Sequence, residues 1–128
     1  YRIYGLDRIE DLEITTDTFK LPKDFSASDY FSNYYGIISD SNIKPERIVI
    51  RAYRDHVPYM SSLPLHKSQK LLEDSSEYAD FELYLAPTFD FIMRLLSAGA
   101  MIEVISPATL RMTMKEWVSD MYNLYKND

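Results

Sequence analysis

Apolar and polar residues alternate along two stretches near the start of the chain, residues 1–6 and 11–16. A period of two is typical of a β-strand that has one face covered. Two strands are not stable alone in water. We therefore expect both to belong to a sheet whose other strands lie upstream, in a natural polypeptide longer than this chain.

Residues 17–45 follow no regular period. Ser28 is the predicted N-cap of a short helix that ends before Gly36. This helix would carry an aromatic stripe of Tyr30, Phe31, Tyr34 and Tyr35, which we interpret as packing between two halves of the chain, with a ligand platform as the alternative. The polar stretch 39–45 ends in a proline and predicts a linker. We place a domain boundary there, between residues 1–45 and 46–128.

From residue 46 onward, strand and helix periods alternate. The pattern predicts strands at 46–53, 67–73, 78–85 and 101–105, and helices at 55–63, 88–98 and 107–125. Ser106 as N-cap and Pro107 at the first helical position mark the start of the last helix. The predicted fold class is therefore α+β, with the βαββαβ order of the ferredoxin-like split βαβ arrangement and one added terminal helix.

The apolar positions of these elements define an expected core. If the helices at 88–98 and 107–125 cover one face of a single antiparallel sheet, they bury Ile48, Phe81, Leu83, Leu95 and Val104. The last helix carries an apolar stripe through Leu110, Met114, Trp117, Val118, Met121 and Tyr125. Its opposite face, with Arg111, Lys115, Ser119, Asp120 and Lys126, is expected in solvent. Because the stripe extends beyond what one small sheet covers, we expect it to support self-association.

Composition and charge narrow the possible functions. A chain of 128 residues suits one domain with an appendage, and the lack of cysteine excludes disulfides and thiolate chemistry. No apolar run is long enough to span a membrane, and we expect a cytoplasmic protein. A net charge of −6 repels phosphate backbones, so this chain alone should bind duplex DNA poorly.

Few residues suggest chemistry. None of the glycine-rich nucleotide loops, hydrolase elbows or zinc-protease motifs is present, so we expect no enzyme and no cofactor. His56 and His66 match no metal-ligand spacing, and we expect His66 to order a loop or line a polar patch. Arg2 and Arg8 lie on or beside predicted strands, where they could face an anion. Pairing with Asp7, Glu10 or Asp11 is the alternative.

Several stretches resemble one family of regulators. Residues 1–9 (YRIYGLDRI), followed by Phe19 and Phe25, resemble the closing segment of the WYL domain. Residues 64–69 (PLHKSQ), 90–99 and 104–111 resemble the C-terminal extension of WYL-domain transcriptional regulators. The resemblance covers nearly the whole chain, although the Trp-Tyr-Leu motif itself and the DNA-reading helices are not in this sequence.

The resemblance implies a partial Sm-like β-barrel in residues 1–45 and a ferredoxin-like extension in 46–128 that helps to form homodimers. It also implies an effector site in which a nucleotide or single-stranded nucleic acid binds, while duplex DNA is contacted only through an upstream helix-turn-helix domain. The candidate binding residues are Arg2, Tyr4, Arg8, His66, Ser68 and Gln69.

Other functions stay open at this point. The chain could be a protein-interaction module without a ligand, an accessory domain of an enzyme, or an RNA-binding ferredoxin-like domain. The last needs exposed aromatic residues among basic ones. Tyr53 and Tyr84 are the candidates, but Asp80 and Glu82 share the outward face of Tyr84, which disfavours RNA.

Overall fold

The computed structural model describes residues 4–126. Its helices are α1 (Ala27–Phe31), α2 (His56–Ser62), α3 (Phe89–Leu96) and α4 (Ala108–Tyr125), and its strands are β1 (Glu46–Tyr53), β2 (Lys70–Asp74), β3 (Tyr78–Leu85) and β4 (Ile102–Ser106). Single 3-10 turns lie at Leu6–Arg8 and Gly99–Met101. The order of elements from residue 46 onward is the predicted one.

The strands form one antiparallel sheet in the order β2-β3-β1-β4. The predicted α+β fold with a ferredoxin-like arrangement is confirmed, because β3 lies between β1 and β2 as the split βαβ unit requires. The register pairs Ile48 with Leu83 and Ile50 with Phe81. Paired residues share a face, so this register places the apolar half of both central strands on the same side of the sheet.

That side of the sheet is the core. All five residues of the predicted core are buried, together with Met60 from α2 and Phe91 from α3. Each fully buried side chain of this size contributes roughly 1.5–3 kcal/mol. The covering layer differs from the prediction. Helix α2 joins the two predicted helices there. It contributes Met60 and the half-buried Val57, α3 contributes Phe91, Leu95 and the half-buried Ile92, and α4 contributes Leu110 and the half-buried Met114.

Several helix boundaries differ from the sequence predictions. The N-cap of α1 is Ser26, whose hydroxyl accepts a hydrogen bond from the Asp29 amide at 3.2 Å, rather than Ser28. This helix ends at Phe31 because the next residues bond to the body of the domain instead. Helix α4 is capped by Pro107 rather than Ser106.

The strands predicted at 1–6 and 11–16 are the main error. Residues 1–3 lie outside the described residues, residues 6–8 form a 3-10 turn, and residues 11–16 form no strand. Leu12 and Ile14 are exposed by 83% and 97%. An alternating segment becomes a strand only when another strand binds its edge, and residues 4–126 supply none. The barrel assignment of residues 1–45 therefore rests on the resemblance alone.

Residues 26–39, here named the strap, behave differently from the exposed segment before them. Ser32, Tyr34 and Tyr35 are half-buried, and Tyr35 packs on the core. The Asn33 carbonyl accepts a hydrogen bond of 2.8 Å from the Ala86 amide. The strap is thus fixed to the end of β3.

Candidate functional site

Three of the predicted site residues lie together on the loop between α2 and β2. The Gln69 side chain spans that loop, because its Oε1 accepts from the Leu65 amide at 2.9 Å and its Nε2 donates to the Met60 carbonyl at 2.8 Å. The Ser68 hydroxyl oxygen accepts from the Tyr84 amide at 2.8 Å and so ties the loop to β3. These bonds explain why the loop is ordered.

His66 extends the same network to the strap. Its Nε2 lies 3.0 Å from the Ser32 carbonyl, to which it must donate, and its Nδ1 lies 2.7 Å from the Ser68 hydroxyl. Burial lowers the pKa of His66, the bond to Ser32 opposes that shift, and Lys67 adds to it. The neutral ring with its proton on Nε2 is therefore favoured. His66 connects the strap to the loop, as the loop-ordering interpretation predicts.

An open pocket of about 600 Å³ adjoins this network. The strap and the 64–67 loop form its walls, which consist of Ser28, Phe31, Ser32, Tyr34, Pro64, Leu65, His66 and Lys67. Lys67 supplies a cation, and Phe31 and Tyr34 supply aromatic rings. This combination suits an anionic ring-containing ligand.

The remaining candidates lie on the N-terminal segment. The Tyr4 side chain is 70% exposed. Arg8 lies 4.0 Å from Asp7, and both side chains are more than 80% exposed. An ion pair of that length in solvent contributes little to stability, so Arg8 is available to another anion. Arg2 falls outside the described residues.

The face of the sheet opposite the core carries paired charges. Arg51 donates two hydrogen bonds to Asp80, from Nε at 2.7 Å and from Nη2 at 2.8 Å, and its guanidinium lies 3.6 Å over the Tyr78 ring. The Asp80 carboxylate raises the pKa of Arg51. The guanidinium covers one face of the Tyr78 ring, so that face cannot stack on a base.

Glu103 connects this open face to α4. Its carboxylate accepts a hydrogen bond of 2.6 Å from the Tyr53 hydroxyl and forms an ion pair of 2.6 Å with Arg111. These two partners lower the pKa of Glu103, and its carboxylate in turn raises the pKa of Tyr53. The Tyr53 hydroxyl is thus hydrogen-bonded to a carboxylate and is not free to contact a nucleic acid, which weighs further against RNA binding.

Arg111 shows a role that sequence patterns did not reveal. The helical spacing predicts that it lies on the solvent face of the last helix, yet it also donates to the Val104 carbonyl of β4. The spacing of Glu103 and Arg111 in the sequence does not predict that Arg111 contacts β4, because that contact depends on how α4 crosses the edge of the sheet. A charged residue on the polar flank of an amphipathic helix is usually solvated.

A second, larger cleft lies between α4 and β4. Its volume is about 770 Å³. Apolar side chains form most of its walls: Leu96, Ile102, Val104, Met114, Val118 and Met121. Beyond it the stripe of α4 continues in solvent, with Leu124 exposed by 80% and Tyr125 by 77%. Contiguous exposed apolar surface of this kind is typical of interaction sites in proteins.

The two histidines lie in separate environments. His56 packs beside Tyr59, with ring centroids 5.2 Å apart, and its Nε2 is buried without a hydrogen-bond partner among the described residues. Burial lowers the pKa of His56, and Arg94 adds to the shift. Within residues 4–126, no group of three or more acidic, histidine or cysteine side chains is placed to hold a metal ion.

Comparison with known families shows which kind of protein carries these features. Residues 44–122, more than half of the chain, match the WCX domain. The chain belongs to the WCX family. A WCX domain is the C-terminal module of WYL-type regulators, a class of regulatory proteins, as the resemblance implied. All four strands and most of α4 lie inside the matched range, whereas the strap lies before it.

No curated protein matches the chain. In the part of the chain that is described, no helix combines the length and apolar character needed to cross a bilayer.

Proposed function

We propose that this WCX chain is the effector-sensing and dimerising part of a bacterial, cytoplasmic transcriptional regulator. Family membership over residues 44–122 carries the proposal. In it, the DNA-binding helix-turn-helix belongs to another part of the polypeptide. An effector bound near the domain changes the arrangement of the dimer, and with it the spacing of two DNA-binding heads.

The effector in this proposal is a nucleotide or a short single-stranded nucleic acid. Supporting it are the pocket beside His66 and Lys67 and the exposed Arg8, whose one ion pair within residues 4–126 is the long contact to Asp7. A guanidinium binds phosphate with two charge-assisted hydrogen bonds. Ser68 and Gln69 already bond within the loop, so their part is to hold the pocket wall in place.

A titration of the intact regulator tests the effector site. A labelled single-stranded oligonucleotide and free nucleotides serve as probes. Replacing Arg8 by Ala should weaken binding about tenfold or more, because a charge-assisted bond is lost. Arg8→Lys should recover part of the affinity, since it keeps the charge without the planar fork.

Lys20→Ala is the matched control, because it removes an equal charge from the same exposed segment. Equal affinity of Arg8→Ala and wild type would remove Arg8 from the site. Equal weakening by both variants would show that only the net charge of the segment matters.

Dimerisation in this proposal uses the outer half of α4. The stripe beyond Met114 is exposed, and the adjoining cleft is apolar. Two copies that share a two-fold axis would each offer the same helix face and the same cleft, which is the requirement for a self-complementary contact.

A further inference from the structure

The strap makes contacts that a passive linker would lack. Besides the bond from the Ala86 amide to the Asn33 carbonyl, Tyr34 forms an isolated parallel bridge with Ala86, and His66 reaches the Ser32 carbonyl. Tyr35 lies against Phe91 of α3, with ring centroids 5.9 Å apart. The strap is therefore attached to the end of β3, to the α2–β2 loop and to α3.

Asp90 is the point where the strap meets the first turn of α3. Its Oδ1 accepts hydrogen bonds from the Thr88 hydroxyl at 2.6 Å and from the Phe91 amide at 3.0 Å. Its Oδ2 accepts from the strap, at the Ile38 amide, at 3.4 Å. One carboxylate thus uses one oxygen for the helix and the other for the strap.

Gly36 shows how closely the strap approaches this carboxylate. A Cβ atom at Gly36 would lie 2.4 Å from Asp90 Oδ2, which is closer than any real contact. The backbone at Gly36 is not in the left-handed region, so an alanine meets only this steric conflict. Asp90 cannot turn away freely, because Thr88 and Phe91 hold its other oxygen.

The first turn of α3 also contacts α4. The ring of Phe89, next to Asp90 in sequence, lies 6.0 Å from the ring of Trp117. The contacts therefore run without a gap from the strap to Asp90, from Asp90 through its neighbour Phe89 to Trp117, and so to the helix whose stripe continues into solvent.

We propose that the strap couples the chain that precedes it to α4. Displacement of that chain moves the first turn of α3 through Asp90, and the movement changes the position of α4 through the contact between Phe89 and Trp117. In this proposal the strap has two arrangements, attached as in the structure and released, which differ by a few specific bonds. This proposal does not depend on the identity of an effector or on dimerisation.

Trp117 is the single tryptophan of the chain, so its fluorescence reports on α4 directly. The test compares the wild-type chain with Gly36→Ala and Asp90→Asn. The asparagine variant keeps an oxygen for Thr88 and Phe91 but presents an amide group where Ile38 needs an acceptor. It decides the outcome if Gly36→Ala does not fold.

Both variants should speed hydrogen exchange at the Ile38 and Ala86 amides about tenfold, as expected when a local hydrogen-bonded unit opens. They should also shift the emission of Trp117. Gly5→Ala is the control, since its new Cβ would meet only the exposed side chain of Asp7, which can rotate away. It should leave both signals unchanged.

The measurements are made at a concentration where sedimentation shows the same single species for all four proteins. Faster exchange in the strap with an unchanged Trp117 spectrum would overturn the coupling, leaving the strap as a simple attachment. Unchanged exchange at the Ile38 and Ala86 amides would show that the strap is not held in place through Asp90, which would also overturn the proposal. Neither result would bear on the effector, because no probe is present.

Discussion

Two arginines of β1, Arg47 and Arg51, lie on the same face of the sheet and each pairs with an acid of β3. The pairs differ in their environment. The Arg51 side chain is 26% exposed and that of Asp80 is 11% exposed, whereas the Arg47 side chain is 61% exposed. Removing a partner costs most where the remaining charge cannot be rehydrated.

Arg51→Ala should therefore lower the free energy of unfolding more than Arg47→Ala does, because Asp80 would lose its partner in a mostly buried position. Arg47→Ala should lower it by less than about 1 kcal/mol, the usual value for an exposed pair. Urea unfolding of both variants measures the difference. Equal losses would show that burial of Asp80 does not control the strength of its pair.

The two histidines predict a dependence of stability on pH. Burial lowers the pKa of both His56 and His66 below the ordinary value of 6.5. In the window between the folded and the unfolded pKa, the unfolded chain binds more protons, so stability is complete above about 6.5 and decreases as the pH falls below it.

Urea unfolding at pH 7.5 and 5.5 should therefore show a less stable protein at the lower pH. His66→Gln should reduce this difference, because glutamine can still donate to the Ser32 carbonyl but does not titrate. His56→Gln is the parallel measurement for the other ring. An equal pH difference in wild type and both variants would assign it to other groups.

At the scale of the element, local periodicity predicted most of what the structure contains. Strand β3 coincides with its predicted range, because seven of its eight residues alternate between core and open face in the sequence itself. The segment at 11–16 has the same kind of alternation, but residues 4–126 supply no partner strand, so it forms no strand and is exposed. Whether a segment forms a strand depends on the strands that pair with it, and its own residues do not specify those partners.

The candidate site was predictable only in part, for the same reason. His66, Ser68 and Gln69 are close in sequence, and their clustering on one loop follows from that. The bond from His66 to Ser32 joins residues 34 positions apart, and that between Asp90 and Ile38 joins residues 52 apart. No periodicity encodes these contacts, which depend on how the strap crosses the finished domain.

Helix α4 divides into an inner and an outer half with different energetics. Leu110 is 4% exposed and Leu124 is 80% exposed. Leu110→Ala should destabilise the domain by about 2–5 kcal/mol, the range for a buried leucine. Leu124→Ala should change stability by less than about 0.5 kcal/mol in the monomer. Thermal unfolding of dilute protein tests this, and a large loss for Leu124→Ala would mean that the outer half is covered.

At the scale of the whole molecule, the same outer half is the proposed contact between two copies. Val118 and Met121 line the cleft and are 54% and 45% exposed. Val118→Lys should shift the monomer–dimer equilibrium toward monomer by about tenfold or more, because a buried charge in an apolar contact is costly. Sedimentation velocity over a concentration series measures it.

Asn123→Lys is the control, since it adds the same charge on the polar side of α4. It should leave the equilibrium close to that of the wild type. A wild-type chain that remains monomeric at the highest concentrations would contradict dimerisation through this helix. Equal effects of both lysine variants would point to charge repulsion rather than to the apolar stripe.

The contact between Arg111 and the Val104 carbonyl has a consequence for the solubility of the protein. β4 is one of the two outer strands of the sheet, and α4 lies against it. The opposite outer strand, β2, carries Lys70, Glu73 and Asp74, and charged side chains on an outer strand discourage edge-to-edge pairing. β4 (IEVIS) is equally short, and its pairing with β1 also shifts register, but it carries only one charge, Glu103. Cleavage before residue 108 would therefore leave a bare apolar edge, and we expect the shortened chains to assemble into insoluble β-rich aggregates.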